Sequence, residues 1–178
     1  YSLAYRATGD RDKARRVEVK VRNRPELIVR TRSEVIDRSP EREMADQVLA
    51  SLLFPNAINE LQIHLITGTP VKSGRHATIP LEVVIPVDKL TFLETAGGNY
   101  VATIDVHHAV AAEKSDFTNS GRRRQTIQIS AEQYAARAGR NYRFKSGVEV
   151  PHGPLRIAIG VMDTASHLAG FQNANATP

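Results

Sequence analysis

The feature that most constrains this chain is an alternation of apolar and polar residues that recurs in many short segments. Apolar residues occupy every second position in segments 79–85, 100–106 and 155–161. Successive side chains of a β-strand point to opposite faces of the sheet, so each of these segments predicts a strand with one face in a core. The dominant secondary structure predicted for the chain is therefore β.

The order of these segments indicates how the strands are arranged. Short strands separated by turns, such as Gly97-Gly98-Asn99, with no regular alternation of helices, favour two packed antiparallel sheets over a parallel α/β sheet. We predict a mainly β fold: an immunoglobulin- or fibronectin III-like β-sandwich over residues 57–178. Pro80 and Pro86 predict that the strand at 79–85 lies at a sheet edge or ends there.

A β-hairpin extension is predicted before the sandwich, over residues 1–36. A strand is expected at 1–6, and alternation at 17–21 and 27–31 flanks a turn at Asn23-Arg24-Pro25-Glu26. Because residue 1 already lies within a strand pattern, we expect the chain to be a fragment of a longer protein.

One connecting helix is predicted over residues 37–56. Ser39 can cap the first turn, and Pro40 suits the first helical position, where its missing N–H has no helical partner to lose. Met44, Val48 and Leu52 form an apolar stripe at helical spacing, which we interpret as core packing rather than a partner site. Pro55 is expected to end the helix.

Three C-terminal segments carry weaker patterns. Residues 111–124 are polar and rich in turn-forming residues, which predicts a long hairpin loop. Residues 131–138 predict a short helix ended by Gly139. Residues 172–178 lack large apolar side chains and are expected to be frayed or to mark a domain boundary.

Composition excludes several kinds of site. The chain has 178 residues and no cysteine, which excludes thiol catalysis, disulfides and thiolate metal ligation. No run approaches the roughly 20 apolar residues that a membrane-spanning helix needs. Gly-x-Ser-x-Gly and glycine-rich phosphate-binding motifs are absent from the sequence, so we predict neither catalysis nor a cofactor. Asp105 and His107 share a strand face, but two ligands are too few for a typical zinc site.

Basic residues supply one alternative function. The net charge is +5, and the region from residue 122 to 145 is strongly basic. The candidate binding residues there are Arg122, Arg123, Arg124, Arg137, Arg140, Arg143 and Lys145. Such a patch could bind an acidic polymer or nucleic acid. Aromatic residues for base stacking are not interleaved with it, so nucleic acid is the less favoured ligand.

Aromatic residues supply a second alternative, a carbohydrate-binding module. Such a module needs an exposed aromatic platform, and Tyr100, Tyr134, Tyr142 and Phe144 are the candidates. The alternation around them predicts that most of these rings face inward. A sugar platform is therefore a less favoured interpretation than an interaction module.

The N-terminal segments resemble the region that follows the A domain in bacterial von Willebrand factor A-related proteins. The resemblance rests on Tyr1-Ser2-Leu3-Ala4-Tyr5, Arg16-Val17-Glu18-Val19-Lys20-Val21 and Arg24-Pro25-Glu26-Leu27-Ile28-Val29-Arg30-Thr31-Arg32. Ser33-Glu34-Val35 departs from the usual Gly-Tyr, whereas residues 151–163 are again similar. The resemblance implies an exported, extracytoplasmic, non-catalytic module that supports adhesion or protein–protein interaction. The protein partner is unknown; the A domain of the same protein is a candidate. No site residues follow from the resemblance.

Overall fold

The structure, a computed structural model, describes residues 11–24, 28–30, 32–55, 57–113 and 118–178. The chain divides into two compact units, Tyr1–Glu43 and Met44–Pro178. The sequence-based division at residues 36 and 56 stays a prediction. No helix in the described segments is long and apolar enough to cross a membrane.

A short antiparallel ladder is the β-structure described in the first unit. Strand β1, Ala14–Arg16, pairs with β2, Glu34–Ile36. The predicted strand at 17–21 is wrong, because that segment carries no strand. Val21 is 43% exposed, so alternation there has no buried face to stabilise pairing. The predicted strand at 1–6 lies outside the described residues, as do Leu27 and Thr31 of the predicted hairpin.

Helix α1, Pro40–Ser51, forms as the sequence predicts. The Ser39 hydroxyl accepts a hydrogen bond from the Arg42 backbone N–H at 3.2 Å, and the Ser39 N–H donates to the Asp12 carboxylate at 2.8 Å. The backbone and side-chain hydrogen bonds with Ser39 are the main causes that lower the pKa of Asp12. The N-terminal cap of α1 is therefore made within the first unit.

The rest of the second unit is almost entirely β. Its elements are β3 His64–Thr67, β4 Val71–Ser73, β5 His76–Pro86, a 3-10 turn at Val87–Lys89, β6 Leu93–Glu94, β7 Tyr100–Ala112, β8 Thr118–Ile129, α2 Ala131–Ala135, β9 Asn141–Pro151, β10 Leu155–Asp163 and β11 Ala169–Ala176. The predicted short helix near residue 131 is thus confirmed, with its end earlier than expected.

Two antiparallel sheets are formed by these strands. In the five-stranded sheet, β11, β10 and β7 are neighbours in that order, and β8 and β6 also pair with β7. In the four-stranded sheet, β5 pairs with β9 along one edge and with the short strands β3 and β4 along the other. Strands β8 and β9 are therefore edge strands of different sheets.

The main hydrophobic core lies between the two sheets. Its buried side chains come from β5 and β9 in one sheet and from β7, β8 and β10 in the other. Ile79 and Ile85 are fully buried on the four-stranded sheet, as are Ile104 and Ile157 on the five-stranded sheet. The prediction of a mainly β, sandwich-type fold is confirmed.

Helix α1 packs on the outer face of the five-stranded sheet. Met44, Val48 and Leu52 form a second core with Phe171 and with small residues of β7 and β10. Gly160 of β10 lies directly beneath the helix, since a Cβ added there would come 2.5 Å from the Val48 Cγ2 atom. The interpretation of the apolar stripe as core packing is confirmed.

Two segments are more ordered than the sequence indicates. Residues 111–124, predicted to be a loop, belong largely to β7 and β8, which pair from Tyr100↔Ile129 to Ala111↔Thr118. Residues 172–178, predicted to be frayed, lie mostly in β11, which pairs with β10. Both predictions are wrong for the same reason: pairing with a neighbouring strand supplies the stabilisation that the side chains do not signal.

The position of Pro80 also differs from the prediction, because β5 is a central strand. The carbonyl of Pro80 accepts a hydrogen bond from the Gly68 N–H at 2.8 Å, in the connection between β3 and β4. The N–H and carbonyl of a strand residue point to the same edge. The N–H that proline lacks would therefore face the gap between two short strands rather than a continuous ladder.

Candidate functional site

A buried carboxylate with two arginines is the most strongly connected polar group of the second unit. Asp105 of β7 is fully buried and accepts hydrogen bonds from Arg122 at 2.8 Å and from Arg124 at 2.8 and 2.7 Å. The register that places Asp105 opposite Arg124 brings these side chains to the outer face of the sheet. Burial alone would raise the pKa of Asp105, but the two guanidinium groups outweigh it and lower that pKa.

This arrangement bears on the two candidate metal ligands. Asp105 and His107 do lie on one face of β7, and His107 is 3% exposed. Both carboxylate oxygens of Asp105 are hydrogen-bonded to arginine, and two cations beside it oppose a third. In the described part of the chain, no group of three or more His, Cys, Asp or Glu residues could hold a metal ion.

The predicted basic residues lie on different surfaces. Arg122 and Arg124 are in β8 rather than a loop and pair with Asp105. Arg123, between them in the strand, lies over the Phe144 ring, with its guanidinium carbon 5.9 Å from the ring centroid.

The remaining basic residues are in or near β9. Arg143 donates to Glu82 at 2.6 Å on the outer face of the four-stranded sheet, and this hydrogen bond is the main cause that lowers the pKa of Glu82. Lys145 lies on the same face, opposite Glu82 in the register. Arg137 lies over the Tyr134 ring, and Arg140 is exposed in the turn before β9. The candidate residues are therefore divided among several surfaces and partners.

Aromatic rings form a closed stack rather than an open platform. The Tyr100 and Tyr134 rings are parallel, with centroids 3.9 Å apart, and the Arg137 guanidinium covers Tyr134 at 4.0 Å. Phe92 meets Tyr134 edge-on at 5.8 Å. Both faces of Tyr134 are therefore occupied within the protein. Phe144 is buried in the main core, and Tyr142 packs against it.

An exposed apolar surface lies at the C-terminal end of α1 and was not identified from the sequence. We call it the helix-end surface; it comprises Leu49 (39% exposed), Leu53 (67%), Phe54 (77%) and Ile58 (47%). A groove of about 410 Å³ adjoins it, lined by residues 51–55 of the helix end and by Asn173–Asn175 of β11. Two bulky apolar residues between the core stripe and Pro55 were the available sequence signal.

The end of α1 is held in a defined position beside that groove. The Asn173 side-chain amide donates to the Ser51 carbonyl at 2.6 Å, and the Ser51 hydroxyl donates to the Val48 carbonyl at 2.8 Å. Leu52 is buried while its neighbour Leu53 is exposed. The helix-end surface is therefore presented by a packed element, and its exposure follows from the packing of α1.

Comparisons with known proteins give limited information. No family model matches the chain, and no curated protein matches it. A β-glucuronidase 2 of Bacteroides uniformis, covalently bound to cyclophellitol-6-carboxylate aziridine, is similar in structure at 13% identity and a TM-score of 0.38, over 65% of this chain and 13% of that chain. A second Bacteroides uniformis β-glucuronidase structure is similar at 14% identity and a TM-score of 0.39, over the same shares. These likenesses are too distant to support an inference about activity.

Proposed function

We propose that this chain is a non-catalytic β-sandwich module of an exported, extracytoplasmic bacterial von Willebrand factor A-related protein, and that it acts by protein–protein interaction. The observation that carries the proposal is the helix-end surface, where Leu53 and Phe54 are 67% and 77% exposed. Contiguous exposed apolar side chains are unfavourable in water and commonly mark contacts with other proteins. An exposed phenylalanine on an ordered element is a typical energetic centre of such a contact.

The partner proposed for this surface is the A domain of the same protein. This choice rests on the resemblance of residues 1–35 to the region that follows an A domain. An intramolecular partner acts at a high effective concentration, so a small apolar contact is sufficient to hold it. In this role the sandwich supports and orients an adhesive domain.

The two alternative functions have weaker support. Sugar binding needs an open aromatic face, whereas Tyr134 is covered by Tyr100 on one side and Arg137 on the other. Binding of an acidic polymer needs cations gathered on one surface, whereas Arg124 and Arg143 are paired with acids on different sheets.

Calorimetric titration of this chain with the A domain of the full-length protein tests the proposal. The double substitution Leu53→Ser with Phe54→Ser should weaken binding by about thirtyfold or more, as expected for loss of an apolar hot spot. Val71→Ser is the matched control, because Val71 is also an exposed apolar residue, at 62%, but lies in β4. It should change affinity by no more than about twofold.

Salt dependence separates the proposal from its basic-residue rival. An apolar contact persists at high ionic strength, whereas binding through phosphate or carboxylate neutralisation falls steeply as salt rises. Absence of binding, equal effects of the two variants, or loss of binding in high salt would each overturn the proposal.

A further inference from the structure

A cleft opens between the two sheets at the edge formed by β8 and β9. Its volume is about 150 Å³. The apolar side chains that line it come from four strands and are Leu81, Val83, Val106, Phe144 and Ile159. It is separate from the helix-end surface, and the proposed function does not use it.

The cleft exists because the edge strands lack bulky apolar side chains at this level. Gly121 and Arg123 of β8 stand opposite His108 and Val106 of β7, on the face that looks toward the other sheet. On β9, Ser146 occupies the inward position after Phe144. Glycine and serine fill less space than the valines and isoleucines elsewhere in the core, so the sandwich is left incompletely filled at this edge.

The polar groups of the cleft carry a single positive charge. Arg123 is exposed and lies over the Phe144 ring. Burial is the main cause that lowers the pKa of His108, with the Arg123 charge adding to it and a hydrogen bond with Asn119 opposing it. His108 is therefore neutral at neutral pH and can offer a hydrogen bond. No acidic side chain is among the described residues that line the cleft.

We infer that this cleft binds a small monocarboxylate with an apolar body, such as an aromatic ring or a short branched chain. The body would occupy the space among Val83, Phe144 and Ile159, and the carboxylate would meet the Arg123 guanidinium. An apolar cavity of about 150 Å³ is large enough to bind benzene. Arginine and carboxylate form a charge-assisted, often bidentate pair, which fixes the orientation of the ligand.

Titration of the ¹⁵N-labelled chain with benzoate tests this inference. The expected dissociation constant is about 10 mM or lower, a range open to a ligand of this size. The largest shift changes should fall on the amides of β8 and β9 around Arg123 and Ser146. Acetate lacks the ring and benzyl alcohol lacks the charge, so each should bind at least about fivefold more weakly than benzoate.

Two substitutions separate the role of the charge from that of the cavity. Arg123→Gln should weaken benzoate binding by about tenfold or more and leave benzyl alcohol unchanged. Arg140→Gln removes the same charge from an exposed position in the turn before β9 and should leave both affinities unchanged. Ser146→Leu should fill the cleft and abolish binding of both ligands.

The inference is overturned if benzoate causes no saturable shift changes at the cleft. It is also overturned if acetate binds as tightly as benzoate, or if Arg140→Gln weakens benzoate as much as Arg123→Gln does. Should Ser146→Leu fail to fold, the wild-type titration and the arginine pair still decide the outcome.

Discussion

Asp105 shows how one residue determines the attachment of an edge strand. A fully buried carboxylate is tolerated only when it is paired and hydrogen-bonded, and here two arginines of β8 supply three short bonds. Because Asp105 is in β7 and its partners are in β8, the ion pair reinforces the pairing of these two strands. The same arginines, 38% and 52% exposed in their side chains, also keep this edge charged, which disfavours pairing with another chain.

Replacing this carboxylate should destabilise the protein in a pH-dependent manner. Asp105→Asn should lower the free energy of unfolding at pH 7 by about 1–3 kcal/mol, at the lower end if the half-exposed arginines are rehydrated. The folded-state pKa of Asp105 is lowered, so its contribution is present above the unfolded pKa of about 4 and is lost as pH falls through the folded pKa.

Urea unfolding of the wild type and Asp105→Asn at pH 7 and at about pH 3 measures this effect. The difference between the two proteins should shrink at the lower pH. A difference of equal size at both pH values would show that the substitution acts through packing instead of charge.

The sequence predicts part of this site and misses the rest for a definite reason. Alternation correctly places Asp105 and His107 on one face, and the basic run at 122–124 is visible by inspection. Their pairing depends on the register between β7 and β8, and a polar edge strand such as 118–126 has no apolar pattern to specify it. Turn-forming residues in that strand favoured a loop, so the arginines were expected to be solvated.

At the scale of elements, the packing of α1 depends on the small size of Gly160. A Cβ at this position would lie 2.5 Å from Val48 Cγ2, and 3.0 Å from both Met44 Cε and Phe171 Cε1. Three side chains of the second core therefore close over one glycine. The helix approaches the sheet closely, which buries Met44 and Val48 almost completely.

A methyl group at this contact should force α1 away from the sheet. Gly160→Ala should lower the free energy of unfolding by about 1–3 kcal/mol, the usual cost of overpacking a core. Gly97→Ala is the control, because a Cβ there meets no atom within 4 Å and the backbone needs no left-handed conformation. It should change stability by less than about 0.5 kcal/mol. Thermal unfolding of both variants gives the comparison, and equal losses would contradict it.

Helical periodicity predicts α1 and its buried stripe but not the sheet that it covers. Met44, Val48 and Leu52 recur at helical spacing, and that pattern requires only some apolar surface beneath them. The surface consists of Ala109, Ala158 and Gly160, whose small side chains carry little apolar signal. The exposure of Leu53 and Phe54 likewise follows from where the helix rests, which the sequence does not specify.

At the scale of the whole molecule, the two hydrophobic cores lie entirely in the second unit. Neither core includes a residue before Met44, and the second core depends on α1. The order of elements therefore indicates that the helix is part of the sandwich's stable structure. A fragment beginning at the Ser39 cap would keep both cores and the first turn of α1.

Two truncated chains test this description. A fragment of residues 39–178 should unfold cooperatively, with a free energy close to that of the full chain. A fragment of residues 57–178 lacks Met44, Val48 and Leu52, whose burial contributes on the order of 5 kcal/mol, and should be much less stable or unfolded. Equal stability of the two fragments in guanidinium unfolding would show that α1 is dispensable.

The whole-molecule proposal is that the helix-end surface is covered by the A domain of the same protein. Because the chain has no cysteine, a single introduced thiol reports the exposure of one chosen position. Phe54→Cys places the thiol on the surface, and Val71→Cys places it on β4, where exposure should be independent of the A domain.

The most direct measurement is the rate of maleimide labelling of each thiol, in this chain alone and in the full-length protein. The account predicts that Phe54→Cys is labelled at least about tenfold more slowly in the full-length protein, as expected for a site that is open less than about a tenth of the time. Val71→Cys should react at the same rate in both. Equal rates for Phe54→Cys in the two proteins would contradict the proposal that this surface binds the A domain.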